Sequence, residues 1–586
     1  MVSISEQSSS VITMLISATV FVFCLLTFGF KESTALLVVY FGPFGSLPAC
    51  SAYSSYPATV TLNLIDHQKF LSAAPRVRME KAFETPFKNV VATARTCYSG
   101  KGIVSDESIQ LEIFPESRDT QIVRSVYEAG HHTTFQHAQF QFTLDNVSRH
   151  FLWSFLHQHP FYNSEQVSQR YVEVKPGMVA VPPMEGEALE LYQQTVAYQH
   201  ESYKELIELL NEPTTEAYFR RFPYRKKYPD KYRRDIKKKA QEIARYVLPV
   251  GTFAYLYHTI SGLTLLRYWR LSEMFDTPLE QKLVIGEMMR EMLRHDPNYQ
   301  IVLEDPIPIE ETAEYKVFAE YHGNATPSPA FVREFDASLE GYTSKLVDYK
   351  VNAESSMADS VREVFGLLRA QMSDDDAIEL ALDPGRNPIL GENLSLTTHA
   401  KLTRVMHHPH YTFRRRISHT ADSQDQRHRM TPGSRPILAA HLSDDPDFIT
   451  PEIITHSRPA HEKYVQVMER SWEAITRLRA LGVPAEFTHY LLPNAVSIRY
   501  TESSDLLNLH HKHKMRLCYN AQEEIWRASI DEARQIRAVH PRIGRWLLPP
   551  CTIRDRAGVR PICPEGERFC GEKVWKIDLD QYERII

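Results

Sequence analysis

The stretch "SEQVSQRY", residues 164–171, combines side chains that suit a phosphate ligand. Ser168 and Arg170 are two residues apart, so their side chains face the same side of an extended or looped backbone. A hydroxyl and a guanidinium that converge in this way provide the donors that a phosphate accepts from. Glu165 and Gln166 add acceptors nearby. An ordinary polar loop has the same composition and remains the alternative.

A second stretch, "QDQRHRMTPGSRP" at residues 424–436, carries a run of basic residues that we expect to lie on a helix. Three consecutive helical residues point in three directions, so Arg427, His428 and Arg429 suit a junction between two ligands. Gln424 lies on the same helical face as Arg427 and can read the edge of a base. His428 stands between two arginines, which disfavours its protonated form. A basic helix end on the surface is the alternative.

The two stretches belong to halves of the chain that resemble each other. Shifted by 270 positions, residues 136–159 align with residues 406–429, and residues 244–251 align with residues 488–495 at another offset. Order and spacing persist across both blocks, which indicates an ancient tandem repeat. "AQFQFTLDNVS" alternates apolar and polar residues as a strand does, and "DTQIVRSVYEAG" has helical spacing, so the sequence predicts an α+β fold.

The expected organisation has three parts, with a seam near residues 330–375, where "HGNATPSPA" and the later "SDDDAIELALDPGRNP" have linker-like composition. They are an apolar extension or anchor at residues 1–60, a first repeat at residues 75–330, and a second repeat with a Cys-containing tail at residues 345–586.

The amino-acid composition limits the classes of protein to which this chain can belong. Apolar and charged fractions of 43% and 24% are typical of a soluble globular protein. The net charge of −6 excludes a globally basic nucleic-acid binder, and we expect no nucleic-acid partner. Gly-rich phosphate loops are absent, so side chains must hold any phosphate. Residues 220–239 hold eleven Lys and Arg, which we interpret as a solvated helix that can steer an anion, with RNA binding as the alternative.

Residues 11–30 carry no charge and are long enough to span a bilayer. A membrane anchor, an atypical signal and an upstream translated extension are the three interpretations, and we favour the extension. The rest of the chain indicates a cytoplasmic protein, with membrane association through residues 11–30 as the alternative.

Seven cysteines do not form a disulfide framework in a chain of 586 residues. Cys551, Cys563 and Cys570 lie near the C-terminus, where zinc binding together with a His and reduced structural thiols are both open, although no C-x-x-C is present. His-rich segments such as "MHHPHY" and "LHHKHK" leave a His-ligated metalloenzyme as an alternative, but no H-E-x-x-H appears. We assign no metal ligands.

Together, the two stretches resemble the signature of the flavin-dependent thymidylate synthase family, R-H-R followed by S/N-x-E-x-S-x-R-Y. The preceding "HHTTFQHAQFQFTLDNVSR" is similar to that family's G-H-x-(S/T)-x-F-E-H…F-x-F…G-V-S-R. The resemblance covers about residues 75–300 and, more weakly, 395–530. It implies two tandem, diverged copies of that family's fold.

Members of the family build each site at a subunit interface of a homotetramer, and the resemblance assigns the two walls of such a site to different halves here. The wall with the R-H-R motif is intact only in the second half, and the wall with the S-x-R pair and the Arg of A-R-x-x-L-P is intact only in the first. The implied dUMP-binding residues are Gln166, Ser168, Arg170, Arg245, Gln424, Arg427 and Arg516, with Arg427 and Arg516 also catalytic.

In the reverse direction the same motifs are damaged. His157-Gln158-His159 replaces R-H-R, His489 replaces the Arg of A-R-x-x-L-P, and "MTPGSRP" is too short for the S-x-R-Y loop. The resemblance therefore implies one retained kind of composite site and one kind that has decayed.

The resemblance implies methylation of dUMP to dTMP with methylenetetrahydrofolate as the one-carbon donor, FAD as the cofactor and NADPH as a co-substrate. It also implies a homodimer that mimics the family tetramer. The family's N-x-R-x-x-x-N flavin pattern is missing from both halves, so a repurposed or inactive nucleotide- or flavin-binding homologue is the alternative. The residues that match flavin contacts are His131, His428 and Arg429.

Overall fold

The computed structural model describes residues 69–113, 115–323 and 327–584. They belong to one structural unit, Leu62–Ile586. The apolar segment at residues 11–30 and the expected extension at residues 1–60 lie outside the described residues. Among the residues that are described, none of the helices is long and apolar enough to cross a bilayer.

Two four-stranded antiparallel sheets form the framework, one in each half of the chain. The first has the order β1-β2-β4-β3 and the second has the matching order β5-β6-β8-β7. The strands are β1 (Arg76–Ala82), β2 (Gln139–Ser148), β3 (Asn163–Gln166), β4 (Phe253–Ser261), β5 (Ser344–Tyr349), β6 (His410–Ser418), β7 (Gly433–Ser434) and β8 (Ser497–Asp505).

Helices cover the sheets and connect their strands. In the first half they are α1 (Pro86–Cys97), α2 (Arg118–Glu128), α3 (Arg149–Leu156), α4 (Gly186–Leu209), α5 (Asn211–Arg221), α6 (Pro229–Ala244), α7 (Gly262–Arg270), α8 (Pro278–His295) and α9 (Ala313–Tyr321). From there to the end they are α10 (Ala330–Ser338), α11 (Ala353–Phe365), α12 (Asp374–Leu382), α13 (His419–Asp425), α14 (Glu452–Thr455), α15 (Arg458–Ala480), α16 (Ala485–His489), α17 (Leu506–Arg516), α18 (Glu523–Val539), α19 (Pro541–Gly544) and α20 (Pro550–Arg556).

The strand predicted from "AQFQFTLDNVS" is confirmed as β2, whose alternate residues Phe140, Phe142 and Leu144 are fully buried. A serine ends β2 and β6 and starts the helix that follows each of them. Ser148 accepts a hydrogen bond from the Phe151 amide at 2.9 Å, and Ser418 does the same for α13. A serine N-cap satisfies an otherwise unpaired amide, which fixes where each helix begins.

Residues 373–388, "SDDDAIELALDPGRNP", are not a linker, so that interpretation is wrong. Ser373 caps α12, three aspartates occupy its first turn, and Ala377, Ile378, Ala381 and Leu382 are buried in the core of the second half. Acidic side chains at a helix N-terminus stabilise the helix, because they interact favourably with its dipole. The acidic composition therefore marks a helix start, and the second half includes this segment.

The aligned segments at residues 244–251 and 488–495 pair directly with each other. The amide of Val250 donates to the Leu492 carbonyl at 2.8 Å, and the amide of Gly251 donates to the Tyr490 carbonyl at 2.9 Å. A Cβ atom on Gly251 would lie 2.8 Å from the Tyr490 carbonyl oxygen, so only glycine fits there. The two halves therefore share backbone hydrogen bonds and one hydrophobic core.

A buried carboxylate joins the halves on each side of this pairing. Glu280 accepts from the Ser148 amide and hydroxyl, both at 2.6 Å, and from the Tyr490 hydroxyl of the opposite half at 2.7 Å. The same arrangement recurs with the halves exchanged, because Glu524 accepts from Ser418 and from Tyr246. Sequence inspection did not single out these residues.

Replacing Glu280 by glutamine will flatten the pH dependence of stability. Burial raises the pKa of Glu280 to about 7 from its usual 4.5. The folded protein therefore holds a proton that the unfolded chain releases, and the free energy of unfolding falls as pH rises from about 4.5 to 7. The shift is worth on the order of 3 kcal/mol. Urea denaturation at pH 5 and 7.5 will show a smaller fall in the free energy of unfolding for Glu280→Gln than for the wild type.

Glu287→Gln is the control, because Glu287 lies half-exposed on α8. It should behave as the wild type does. An equal fall in all three proteins would contradict the prediction.

Candidate functional site

A cavity of about 520 Å³ lies between the two halves. Its wall includes all seven residues that the sequence predicts for nucleotide binding, three from the second half and four from the first. They are Gln424, Arg427 and Arg516, together with Gln166, Ser168, Arg170 and Arg245. Residues separated by more than 300 positions therefore meet in one place.

The first-half wall is the loop that follows β3. The Ser168 hydroxyl accepts from the Arg170 amide at 3.3 Å. Arg170 donates to Glu242 at 3.0 Å and to the Asn520 carbonyl of the second half at 2.8 Å, while its buried Nε has no partner. Arg245 also bridges the halves, because its Nη2 donates to Gln522 at 2.9 Å. Both guanidiniums are held in position and keep donor capacity for a ligand.

The second-half wall differs from the helix that the sequence predicts. Helix α13 ends at Asp425, and Arg427 lies in the turn beyond it, so the expectation of a helical R-H-R run is wrong. Asp425 at a helix C-terminus opposes the helix dipole, and the T-P-G sequence at 431–433 prevents continuation. Arg427 is exposed and pairs with Glu165 of the first half at 2.7 Å, and the buried Gln424 Oε1 has no partner.

Arg516 is fixed by a buried ionic network in the second half. Its Nε donates to Asp425 at 3.2 Å and its Nη2 donates to the Gln424 carbonyl at 2.9 Å. Asp425 also pairs with Arg415 at 2.8 Å and with Lys512 at 3.2 Å, and all three side chains are essentially fully buried. Burial lowers the pKa of Arg516, and Arg170 and Arg427 nearby lower it further. The guanidinium therefore stands in an electropositive site that favours an anion.

The first half has apolar and aromatic side chains where the second half has this network. When the two halves are matched by strand pairing and helix N-caps, Leu144 is equivalent to Arg415. In the same way Phe155 is equivalent to Asp425, and Tyr268 is equivalent to Lys512. Phe155 and Tyr268 pack with their ring centroids 4.5 Å apart. The buried ionic network that holds Arg516 at the end of its helix therefore has no counterpart at the equivalent positions of the first half.

Sequence reasoning missed Arg149, which lines the same cavity. Its Nη2 donates to the Val167 carbonyl at 2.8 Å and its Nε has no partner. Burial, and secondarily Arg245, lower its pKa to about 9. Among the described residues no carboxylate lies within ion-pair distance of it. The signal was present in the aligned segments, because Arg149 follows Ser148 where His419 follows Ser418.

Positive charge predominates around the cavity. Glu392 and Glu565 are its acidic lining residues, against eight basic ones, namely Arg149, Arg170, Arg245, Arg427, Lys514, Arg516, Arg554 and Arg568. Because several of these guanidiniums are desolvated, their interaction with an anion is stronger than it would be in water. The lining suits an anionic ligand, such as a phosphorylated one, that also offers hydrogen-bonding groups.

The residues predicted for flavin contact are not gathered in this cavity. His428 is mostly buried beside His511, with ring centroids 5.8 Å apart, and its Nε2 has no partner. Arg429 donates to the Pro160 carbonyl at 3.3 Å and to Asn163 at 3.2 Å. His131 is exposed at a turn before β2. These three assignments stay predictions.

Side chains fill the place where the two damaged motif sets, which include His157 and His489, would form the other composite site. His157 is mostly buried, bonds the Trp153 carbonyl at 2.7 Å, and has its pKa lowered to about 4 by burial. Asp422 accepts from the Trp153 indole and from Arg435, both at 2.8 Å, and His489 is buried as well. A neutral imidazole and an internally paired arginine leave no converging donors for a phosphate here.

Comparison with known proteins identifies the family. The family model described as "Thymidylate synthase complementing protein" matches residues 78–298 and 345–542, which together make up most of the chain. The flavin-dependent thymidylate synthase of Geobacter sulfurreducens is 31% identical over 179 residues, covering 29% of this chain and 71% of that protein. The corresponding enzyme of Sulfurisphaera tokodaii is 30% identical over 154 residues, covering 26% of this chain and 59% of that protein.

Among solved structures, a UMP/dUMP methylase, PolB from Streptomyces cacaoi bound with 5-Br dUMP, is 17% identical with a TM-score of 0.29. The match covers 40% of this chain and 99% of that chain. The motifs recognised in the sequence and the family-model matches in both halves agree, and the chain belongs to the flavin-dependent thymidylate synthase family.

Proposed function

We propose that this protein methylates dUMP to dTMP in the cavity between its halves, with methylenetetrahydrofolate as the one-carbon donor. The observation that carries the proposal is that the two intact motif sets, one from each half, line one electropositive cavity. Neither half supplies both sets. Membership of the family supports the reaction, and the lining of the cavity supports its assignment as the nucleotide site.

The lining residues divide into groups for the phosphate and groups for the base. Ser168, Arg170 and Arg245 provide a hydroxyl and two guanidiniums suited to a phosphate. Gln424 presents an unpartnered amide oxygen suited to the edge of a pyrimidine. Arg516 lies beside it, where a fixed positive charge stabilises negative charge that develops on the ring. Ser168 acts as a binding residue in this assignment and not as a nucleophile.

We also propose that the two halves are diverged copies of one ancestral unit, at about residues 75–330 and 345–586. The matching strand orders, the serine N-caps and the exchanged Ser–Glu–Tyr contacts support this. In this proposal the retained cavity combines opposite surfaces of the two copies.

The predicted flavin contacts of a single chain do not converge on one place, because His428 lies beside Arg516 whereas Arg429 bonds Pro160 and Asn163. We propose that a second chain supplies the remainder, so that FAD is held in a homodimer. NADPH would then reduce the flavin. An inactive or repurposed nucleotide-binding homologue is the second candidate, and the dispersed flavin residues favour it.

Complementation of a thymidine-requiring strain tests the proposal. We expect the wild-type chain to support growth without thymidine. Arg170→Ala and Arg427→Ala should each abolish growth, because each variant removes a guanidinium from one wall of the cavity. Dimerisation and the visible absorption of bound flavin should accompany activity in the purified wild type. Tight dUMP binding without flavin or growth would support the repurposed homologue, and absence of dUMP binding would contradict both candidates.

Replacing Arg149 by glutamine will weaken dUMP binding by about 10- to 150-fold. This range corresponds to the loss of one hydrogen bond to a charged group, roughly 1.5–3 kcal/mol. Titration calorimetry with dUMP and with deoxyuridine separates the causes. If Arg149 contacts the phosphate, affinity for deoxyuridine will be unchanged, whereas equal losses for both ligands would show that the substitution disturbs the loop around Val167 instead.

A further inference from the structure

Four cysteines of the second half surround one small cavity behind the nucleotide site. Cys518 follows α17, Cys551 lies in α20, and Cys563 and Cys570 belong to the tail. The cavity has a volume of about 10 Å³, close to the space that a single water or ion fills. All four side chains are free thiols, and the other described cysteine, Cys97, lies apart and exposed. Convergence of four of the five described cysteines is not expected of thiols that merely fill space.

The two tail cysteines stand beside turns that need glycine, because Gly566 and Gly571 have φ values of +55° and +94°. The Cys570 thiol donates to the Glu572 carbonyl, with the sulfur 3.7 Å from the oxygen. These turns bring Cys563 and Cys570 to the cavity that Cys518 and Cys551 also line.

Four thiols around one small cavity suit a divalent metal, because a bound metal deprotonates the thiols that coordinate it. A positive ion at the centre therefore explains why the four side chains cluster.

We propose that Cys518, Cys551, Cys563 and Cys570 form a structural zinc site. Four thiolates satisfy the tetrahedral coordination of zinc with no open position, which is the arrangement of structural and not catalytic zinc. As placed, no three ligand side chains in the part of the chain that the structure describes form a closed coordination set. Rotation about the cysteine side-chain bonds must therefore bring the sulfurs to about 2.3 Å from the ion.

The site would hold one wall of the nucleotide cavity in place. Cys518 lines both cavities, and so does Pro564 next to Cys563. Asn520 connects them, because its carbonyl accepts from Arg170 at 2.8 Å and its side chain donates to the Arg568 carbonyl at 2.7 Å. The metal would thus fasten the tail against the loop that follows α17. The proposal does not depend on the reaction that the nucleotide cavity supports.

Metal analysis of the purified full-length protein tests this inference. We expect one zinc per chain in the wild type and in Cys97→Ser, and less than a tenth of that content in Cys563→Ser and Cys570→Ser. After zinc removal and reconstitution under reducing conditions, cobalt should give the charge-transfer and ligand-field absorption of a tetrahedral tetrathiolate complex. Circular dichroism establishes whether each variant is folded. If a variant does not fold, the wild type is instead treated with a thiol reagent, and the metal that it releases is measured.

The outcomes that overturn the inference are distinct. The site would be excluded if the wild-type protein contained no zinc and did not take up cobalt. This holds whether its cysteines are then found as free thiols or as disulfides. Stoichiometric iron would exclude the zinc assignment, and zinc retained by both tail variants would place the metal elsewhere. None of these results bears on dUMP binding, which is measured separately.

Discussion

Replacing Arg516 by alanine will lower the rate of dTMP formation by about 10²–10³-fold, the cost of removing one preorganised charge-stabilising donor. Arg516 is buried, held by Asp425 and the Gln424 carbonyl, and directed into a cavity rich in positive charge. Since the group is fixed before the substrate arrives, its contribution to the transition state requires no reorganisation. Steady-state kinetics of the purified protein at saturating dUMP measures the effect.

The matched control is Arg270→Ala, which removes a half-exposed arginine from the end of α7, the corresponding helix of the first half. It should leave the rate within twofold of the wild type. Arg516→Lys keeps the charge but not the two-donor fork, so we expect an intermediate rate. If Arg516→Ala were as active as Arg270→Ala, the assignment of the cavity as the reaction site would be wrong.

Replacing Arg415 by methionine will lower the free energy of unfolding by about 3–5 kcal/mol, the usual cost of removing one partner from a buried ion network. Arg415 is fully buried and lies within ion-pair distance of Asp425, Glu502 and Glu532. Without it, Lys512 and Arg516 are left to balance the three carboxylates. Urea denaturation at neutral pH, with the slope compared between proteins, gives the difference.

Arg414→Met is the matched control, because Arg414 is the adjacent, exposed residue of β6. Its effect should stay within about 0.5 kcal/mol. A loss below 1 kcal/mol for Arg415→Met would mean that the network relaxes or takes up protons. In that event the position of Arg516 would not depend on the network, and the kinetic effect of Arg415→Met would be small as well.

Much of the site could be predicted because its motifs are local. Ser168 and Arg170, or Gln424 and Arg427, are close in sequence, and the resemblance to the flavin-dependent thymidylate synthase family implied that they belong to complementary walls. The alternation in β2 predicted a strand for the same reason, since its period is visible within ten residues.

What could not be predicted depends on long-range contacts. Glu280 and Tyr490 are 210 positions apart, and no local pattern connects them. Arg415 and Glu502 are polar residues at buried strand positions, which sequence patterns assign to solvent unless their partners are known. Cys518 stands alone in the sequence, so only the fold places it with the tail cysteines. The acidic start of α12 was taken for a linker because composition does not reveal the buried face that follows it.

The backbone pairing at Gly251 has a consequence for protein synthesis. The Val250 and Gly251 amides acquire their acceptors only when Tyr490 and Leu492 have been made. At roughly 5–20 residues per second, translation of the about 240 intervening residues takes on the order of 10–50 seconds. During that interval the nascent first half presents an unpaired edge beside an unfilled apolar core. The first half therefore completes this core and this backbone pairing only after the second half has been made.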